Sequence, residues 1–191
     1  MSETPSTMLE IGTQAPSFSL PEPASGNQVS LSDYNGRPLL VVFSCNHCPY
    51  VLHILKSFTE FANAAKFRGL ETVMINSNDV AGYPADSPEK MVELALNLDF
   101  EFPYLYDESQ QVALSYQAAC TPDFFLFDAD HRLVYRGQYD GSRPGNSTAV
   151  SGSDIKAAVD ALLAGTLPSG EQVPSVGCNI KWREGNAPGY F

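Results

Sequence analysis

The sequence has 191 residues, enough for one domain with a sizeable core, and 43% of them are hydrophobic, as in globular proteins. The formal net charge is −11. An acidic surface of this kind repels phosphate backbones and anionic membranes. We therefore expect neither a nucleic acid nor a membrane among the partners.

The N-terminal segment and the hydropathy of the chain bear on its location. Residues 1–13 contain no basic region followed by an apolar run, so we find no secretory signal. No stretch approaches the length of a membrane span. If the chain is complete, the predicted location is the cytoplasm.

The first half of the chain predicts a small hairpin followed by a β–α–β unit. Two short apolar runs, residues 18–20 and 29–31, flank a turn cluster and predict the hairpin. The continuous apolar run over residues 39–43 is typical of a strand buried on both faces. After a Cys-Asn-His-Cys motif, apolar residues recur at helical spacing until a stop near Gly69, and residues 72–75 form the next buried strand.

The second half predicts three further helices, of which the second is a short one over residues 109–116, and a hairpin before the last. Ser87 and Pro88 mark a helix start, because Ser is a favoured cap and Pro a favoured first helical residue. Residues 123–127 and 133–136 alternate like two antiparallel strands. Ser151 and Asp154 have the spacing of a capping box and predict a last helix that reaches residue 163.

The order of these elements predicts the fold class. We expect an α/β protein in which a central mixed sheet carries helices on both faces, an arrangement that resembles the thioredoxin fold. An N-terminal hairpin and an extended C-terminal tail are added to it. We expect residues 1–165 to form the domain, and the Gly- and Pro-rich residues 166–191 to wrap the same domain.

Cys45 and Cys48 form a C-x-x-C motif between a buried strand and a helix. A sulfur at a helix N-terminus lies near unpaired backbone N–H groups and the positive end of the helix dipole, which stabilise a thiolate. We expect Cys45 to hold this position, with Cys48 one helical turn further on and close enough to form a disulfide. The motif therefore predicts a redox dithiol.

His47 lies inside the motif and allows two interpretations. An imidazole beside a thiolate favours the charged sulfur, which stabilises the reduced state and makes the couple more oxidising. The alternative is an exposed loop histidine with little influence. A metal site is a competing use of Cys-Asn-His-Cys, but zinc usually takes two local ligand pairs and the sequence supplies one. We expect no bound metal and no cofactor.

A second group of candidate residues lies far along the chain. Pro122 directly precedes a predicted strand, where a cis bond after Thr121 would present backbone groups to an incoming substrate strand or disulfide. Cys120 would then lie near the motif, either as a resolving thiol or as a buried inert one. Cys178 in the tail either pairs with Cys120 or stays unpaired. Arg143 could lower the pKa of a thiolate or serve as a surface group.

These features together resemble a known family. The strand, the Cys45-Asn46-His47-Cys48-Pro49 motif and the segment from Thr121-Pro122 to Phe127 are similar to the thioredoxin superfamily, and within it to peroxiredoxin-like redoxins of the AhpC/TSA type. The resemblance covers nearly the whole length. It implies that Cys45 is the attacking thiol, Cys48 the resolving thiol and Pro122 a cis-proline.

Two departures from the family patterns bear on activity. Ser44 stands where thioredoxins have Trp, and Asn46-His47 where they have Gly-Pro. Peroxiredoxins carry P-x-x-x-[T/S]-x-x-C, and counting back from Cys45 gives Pro38 but Val42 at the hydroxyl position. Counting back from Cys48 gives Val41 at the proline position.

The sequence therefore supports a first hypothesis and two alternatives. The first is a thiol–disulfide oxidoreductase that acts on a protein or small-molecule disulfide and is recharged by a thiol reductant, as a monomer or homodimer. The first alternative is a thiol peroxidase in which peroxide oxidises Cys45 to a sulfenic acid that Cys48 captures. The second alternative is a metal-binding or redox-sensing module.

Overall fold

A computed structural model describes residues 3–190 of the chain. Its strands in chain order are β1 (Glu3–Pro5), β2 (Ser19–Pro21), β3 (Gln28–Ser30), β4 (Leu39–Phe43), β5 (Glu71–Asn76), β6 (Tyr104–Tyr106), β7 (Cys120–Thr121), β8 (Asp123–Phe127), β9 (Leu133–Gly137) and β10 (Val176–Asn179). Its α-helices are α1 (Pro49–Lys66), α2 (Pro88–Asn97), α3 (Gln111–Ser115) and α4 (Ser153–Leu163).

The central sheet has five strands in the order β6-β5-β4-β8-β9. Strands β4, β5 and β6 run parallel, while β8 and β9 are antiparallel additions. Helix α1 connects the parallel pair β4 and β5, as the sequence predicts. The mixed sheet confirms the predicted thioredoxin-like arrangement, and β2 pairs with β3 as the predicted hairpin.

Both faces of the central sheet are covered. Alternate residues of β4, such as Leu40 and Val42, pack with the apolar faces of α1, α2 and α4. The others, Leu39, Val41 and Phe43, pack with α3 and the N-terminal segment. This explains the continuous apolar run in β4, because a strand covered on both sides has no solvent-facing positions.

The last helix corrects one sequence prediction. Its N-cap is Gly152, with φ of 67°, and not Ser151 in a capping box with Asp154. The carboxylate of Asp140, in the loop before the helix, accepts hydrogen bonds from the backbone N–H groups of Ser151 at 2.7 Å and Gly152 at 2.6 Å. A charged acceptor from outside the helix thus replaces the predicted local cap. Ser87 caps α2 as predicted.

A second, smaller sheet lies beside the central one and has the order β1-β10-β7. It brings together a segment near the start of the sequence, a segment of the predicted tail, and the two residues before Pro122. Among the described residues, no helix has the length and apolar character needed to cross a bilayer.

Candidate active site

The C-x-x-C motif occupies the turn between β4 and α1. Helix α1 begins at Pro49, and Cys48 is its N-cap residue. Cys45 therefore precedes the helix, which corrects the prediction that it lies at the helix N-terminus with Cys48 one turn further on. The reason is Pro49, which is suited to the first helical position and so fixes the helix start after the second cysteine.

Thr121 contacts both sulfurs of the motif. Its Oγ1 lies 3.4 Å from Cys45 Sγ, and its carbonyl oxygen lies 3.1 Å from Cys48 Sγ. The bond between Thr121 and Pro122 is cis, as predicted. Cys45 is 1% exposed and Cys48 is 0% exposed. The structure thus joins four of the predicted site residues into one buried cluster.

The pKa values of the two thiols shift in opposite directions. The pKa of Cys45 is raised well above its usual range, first by its hydrogen bond to Cys48, then by burial and by the charge of Asp86. The pKa of Cys48 is lowered to about 4, chiefly by the hydrogen bond from Cys45, with a further contribution from the backbone N–H of Val51. The directions of these shifts favour ionisation of Cys48, the helix N-cap, over Cys45, for which the sequence predicts the thiolate.

His47 pairs with a buried carboxylate. Its Nδ1 lies 2.7 Å from Oδ2 of Asp86, and its ring stacks on Tyr83 with centroids 5.3 Å apart. The carboxylate accepts a hydrogen bond from the ring when Nδ1 carries a proton. It also raises the pKa of Cys45, which is opposite to the effect expected of His47 from the sequence.

Asp86 is the centre of a polar network that sequence reasoning missed. It is fully buried, and its carboxylate accepts hydrogen bonds from the backbone N–H of Asn46 at 2.7 Å and from Nδ2 of Asn78 at 2.8 Å. Tyr104 donates to Oδ1 of Asn46 at 3.0 Å. The sequence carries one signal, because polar residues 77–79 follow β5 and the ends of neighbouring parallel strands meet at one sheet edge. Asp86 itself lies in a Pro-Ala-Asp-Ser segment that indicates only a turn.

Cys45, His47 and Asp86 also form a trio of metal-ligand types, with ligand atoms within 4.8 Å of one another. Both oxygens of the Asp86 carboxylate already accept hydrogen bonds. A zinc ion here would have to displace these bonds and would need a fourth ligand. The donor set therefore fits a hydrogen-bonded network better than a metal centre.

The remaining candidate residues separate into near and distant ones. Cys178 lies opposite Thr121 in the pairing of β10 with β7, and a hydrogen bond joins its side chain to that of Cys48. Cys120 is buried, and its thiol is directed to the carbonyl oxygens of Pro122 and Ser175. The structure thus brings Cys178 to the motif, and not Cys120.

Arg143 is held by its own loop. Its guanidinium donates to the carbonyl oxygens of Asp140 and Ser142 and to Oε1 of Gln138. These bonds direct its charge toward the loop and not toward the two sulfurs. These bonds favour a structural role in the loop, which neither of the two sequence interpretations names.

Comparison with known proteins identifies the family. The family model of the AhpC/TSA family matches residues 11–136. The chain belongs to the AhpC/TSA family. It is a redoxin of the thioredoxin superfamily and an oxidoreductase, as the sequence resemblance implies.

Individual relatives of this redoxin have two kinds of name. Peroxiredoxin Bcp of Escherichia coli is 30% identical over 135 residues, which cover 70% of this chain and 81% of that protein. The thiol-disulfide oxidoreductase ResA of Geobacillus kaustophilus is 29% identical over 125 residues, which cover 65% of this chain and 67% of that protein. A crystal structure of an uncharacterized conserved protein from Geobacillus kaustophilus is 48% identical, with a TM-score of 0.94 and coverage of 96% and 97% of the two chains.

Proposed function

We propose that this redoxin is a thiol–disulfide oxidoreductase whose working couple is Cys45 and Cys48. The observation that carries the proposal is the shared contact with Thr121, which holds both sulfurs in one buried site at distances of 3.4 Å and 3.1 Å. The lowered pKa of Cys48 supports the pairing of the two sulfurs, because its largest cause is the hydrogen bond from Cys45.

Thr121 can serve either placement of a proton, on Cys45 or on Cys48. Its hydroxyl can donate to a Cys45 thiolate, and its carbonyl oxygen can accept from a protonated Cys48. In the proposed cycle the proton moves from Cys45 to Cys48, and the Cys45 thiolate attacks a substrate disulfide. The attack releases one substrate sulfur as a thiolate, which takes the proton of Cys48. The Cys48 thiolate then attacks the Cys45 sulfur and displaces the second substrate sulfur as a thiolate, which leaves the Cys45–Cys48 disulfide and a reduced substrate.

The proposed partners are a disulfide substrate, either a protein or a small molecule, and a thiol reductant that restores the dithiol. A cytoplasmic setting, predicted from the sequence, would supply such reductants. Since both sulfurs are almost fully buried, the site must open or admit a small reactant during turnover.

Two substitutions test this function. Cys45→Ser is expected to abolish turnover of a disulfide substrate, and Cys48→Ser to accumulate a mixed disulfide visible as a mass adduct on the intact protein. Cys120→Ser is the matched control, since it removes a buried thiol that is directed away from the motif. Full turnover by the Cys45→Ser protein would refute the proposal.

A thiol peroxidase is the second candidate, and one contact favours it. Val42 occupies the position where peroxiredoxins carry a hydroxyl residue, but Thr121 supplies a hydroxyl 3.4 Å from Cys45 Sγ. A hydroperoxide is also small enough to need little opening of a buried site. Stopped-flow oxidation by hydrogen peroxide separates the candidates, because a rate no faster than that of an ordinary low-pKa thiol eliminates the peroxidase.

A further inference from the structure

The sheet edge beside the motif is already occupied by this chain. Strand β10 pairs antiparallel with β7, with Cys178 opposite Thr121 and Asn179 opposite Cys120. Strand β1 pairs with the other edge of β10, where Glu3 lies opposite Cys178. A peptide that recognises a sheet edge binds by adding a strand to it. Here β10 of the same chain occupies the position beside β7 where such a peptide would bind.

The approach of β10 is close enough to require a glycine. A Cβ added at Gly177 would lie 2.0 Å from the carbonyl oxygen of Thr121 and 3.2 Å from the nitrogen of Pro122. No side chain fits in such a space without displacing the strand. Gly177 therefore lets β10 lie directly on the peptide bond that contacts the two sulfurs.

The pairing places a third sulfur at the dithiol. Directly opposed residues of an antiparallel pair project to the same face, so the side chains of Cys178 and Thr121 lie side by side. Thr121 contacts both Cys45 and Cys48, and all three cysteines belong to the same buried apolar cluster. The hydrogen bond between Cys48 and Cys178 completes this arrangement.

We propose that Cys178 is a third redox-active thiol, which receives the disulfide from the Cys45–Cys48 couple. The inference rests on the function proposed above. In the step, Cys178 sulfur attacks Cys48 sulfur, the bond from Cys48 to Cys45 breaks, and a Cys48–Cys178 disulfide forms. The proton of Cys178 ends on Cys45. The exchange has no net gain or loss of electrons, and the oxidising equivalents come from the substrate disulfide that the couple has already reduced.

The charges around Cys178 give the step its order. Burial raises the pKa of Cys178 to about 12, and the hydrogen bond and negative charge of Cys48 add to this effect, while Lys181 opposes it. While the dithiol is reduced, Cys178 therefore stays protonated. Oxidation of Cys48 removes its negative charge, while Lys181 continues to lower the pKa of Cys178. The pKa of Cys178 therefore falls, and Cys178 becomes a better nucleophile, only after the couple has been oxidised.

The consequence is a change in what the site presents to its partners. After the exchange, Cys45 is again a thiol while the protein remains oxidised. The disulfide then links the N-cap of α1 to β10, so the strand that covers the edge is tied covalently to the motif. A reductant must reach this second disulfide to return the protein to its starting state.

Disulfide mapping of the full chain tests the inference. The reduced protein is oxidised with diamide, remaining thiols are alkylated, and peptides are identified by mass spectrometry. The Cys45→Ser variant is expected to form a Cys48–Cys178 disulfide, in at least about tenfold excess over any disulfide that contains Cys120, because the pairing directs Cys178 and not Cys120 to the motif. Cys178→Ser is expected to form only Cys45–Cys48, and Cys120→Ser to leave the wild-type distribution unchanged.

The outcomes distinguish this inference from the proposed function. If wild type forms Cys45–Cys48 while a folded Cys45→Ser protein forms no Cys48–Cys178, the third thiol is refuted and the couple stands. If a folded Cys178→Ser protein forms no Cys45–Cys48 disulfide, the proposed couple fails and no disulfide can be passed to Cys178, so the relay fails with it. Far-ultraviolet circular dichroism verifies the fold, and Cys45→Ala replaces Cys45→Ser if the serine variant does not fold.

Discussion

Removal of the charge of Asp86 should make Cys45 more acidic. A carboxylate oxygen of Asp86 and the sulfur of Cys45 lie within 4.8 Å of each other, and both residues are buried. Two like unit charges at this distance repel by about 3.5 kcal/mol at an effective dielectric constant of about 20. That energy corresponds to about 2.5 pKa units, and pairing with His47 reduces it. We therefore expect Asp86→Asn to lower the pKa of Cys45 by about one to two units.

The measurement requires Cys45 to titrate alone. The largest cause of its raised pKa is the hydrogen bond to Cys48, so the comparison is made between Cys48→Ser and Cys48→Ser with Asp86→Asn. The 13C chemical shift of the cysteine Cβ, followed against pH, reports the thiolate without requiring a reagent to enter the buried site. Asp160→Asn, which removes an exposed carboxylate paired with Arg68, is the control.

The Asp86→Asn variant should also lose stability, because an amide cannot accept all the hydrogen bonds that the carboxylate accepts. The expected cost is about 1 to 3 kcal/mol in the free energy of unfolding. If the variant is folded and the pKa of Cys45 is unchanged, the charge of Asp86 does not act on that sulfur and the electrostatic account of the site is wrong.

Three further substitutions test other parts of the structure. Gly177→Ala should displace β10, because the new Cβ would lie 2.0 Å from the Thr121 carbonyl oxygen. Since this displacement would expose the motif, we expect iodoacetamide to alkylate the motif cysteines at least about tenfold faster. Gly170→Ala, where the new Cβ meets open space, is the control and should leave that rate unchanged. Thr121→Val removes the hydroxyl beside Cys45 and should slow disulfide turnover about tenfold, the equivalent of about 1.4 kcal/mol. Thr121→Ser keeps a hydroxyl and should retain the rate. Equal turnover rates in the two variants would contradict the role of the hydroxyl. Burial raises the pKa of Asp123 to about 7, so the folded protein keeps a proton that the unfolded chain loses above about pH 4. The free energy of unfolding should therefore fall as the pH rises from about 4 to 7, by on the order of 3 kcal/mol, and urea titrations should show a weaker pH dependence in Asp123→Asn.

The parts of the fold that the sequence predicts are those encoded by local patterns. Strand β4 is predicted by five consecutive apolar residues, and the face of α1 by apolar residues at helical spacing. The motif cysteines and the cis bond at Pro122 are likewise predicted from short patterns, since each depends on residue types that few other contexts favour.

The parts of the site that the sequence does not predict depend on contacts between residues that are far apart along the chain. The segment Val176–Asn179 contains a glycine and an asparagine and has little strand propensity, so its strand conformation comes from pairing with β7 and β1. Gly177 indicates a turn when read locally, whereas in the fold it provides space for the Thr121 carbonyl. Asp86 is far from the motif along the chain, and only packing of its turn against β5 brings its carboxylate to His47.

The position of β10 along the chain also determines when the site is completed during synthesis. The motif, β4 and α1 are translated early and make contacts that are close in sequence, whereas β10 is translated late and pairs with β1, near the other end of the sequence. Contacts between such distant segments form late in folding. A nascent chain that has folded its central sheet would therefore present an uncovered dithiol to oxidants and to other thiols until residues 176–179 leave the ribosome. For this protein, we expect the interval before β10 docks to be the period of greatest exposure to unwanted disulfide formation.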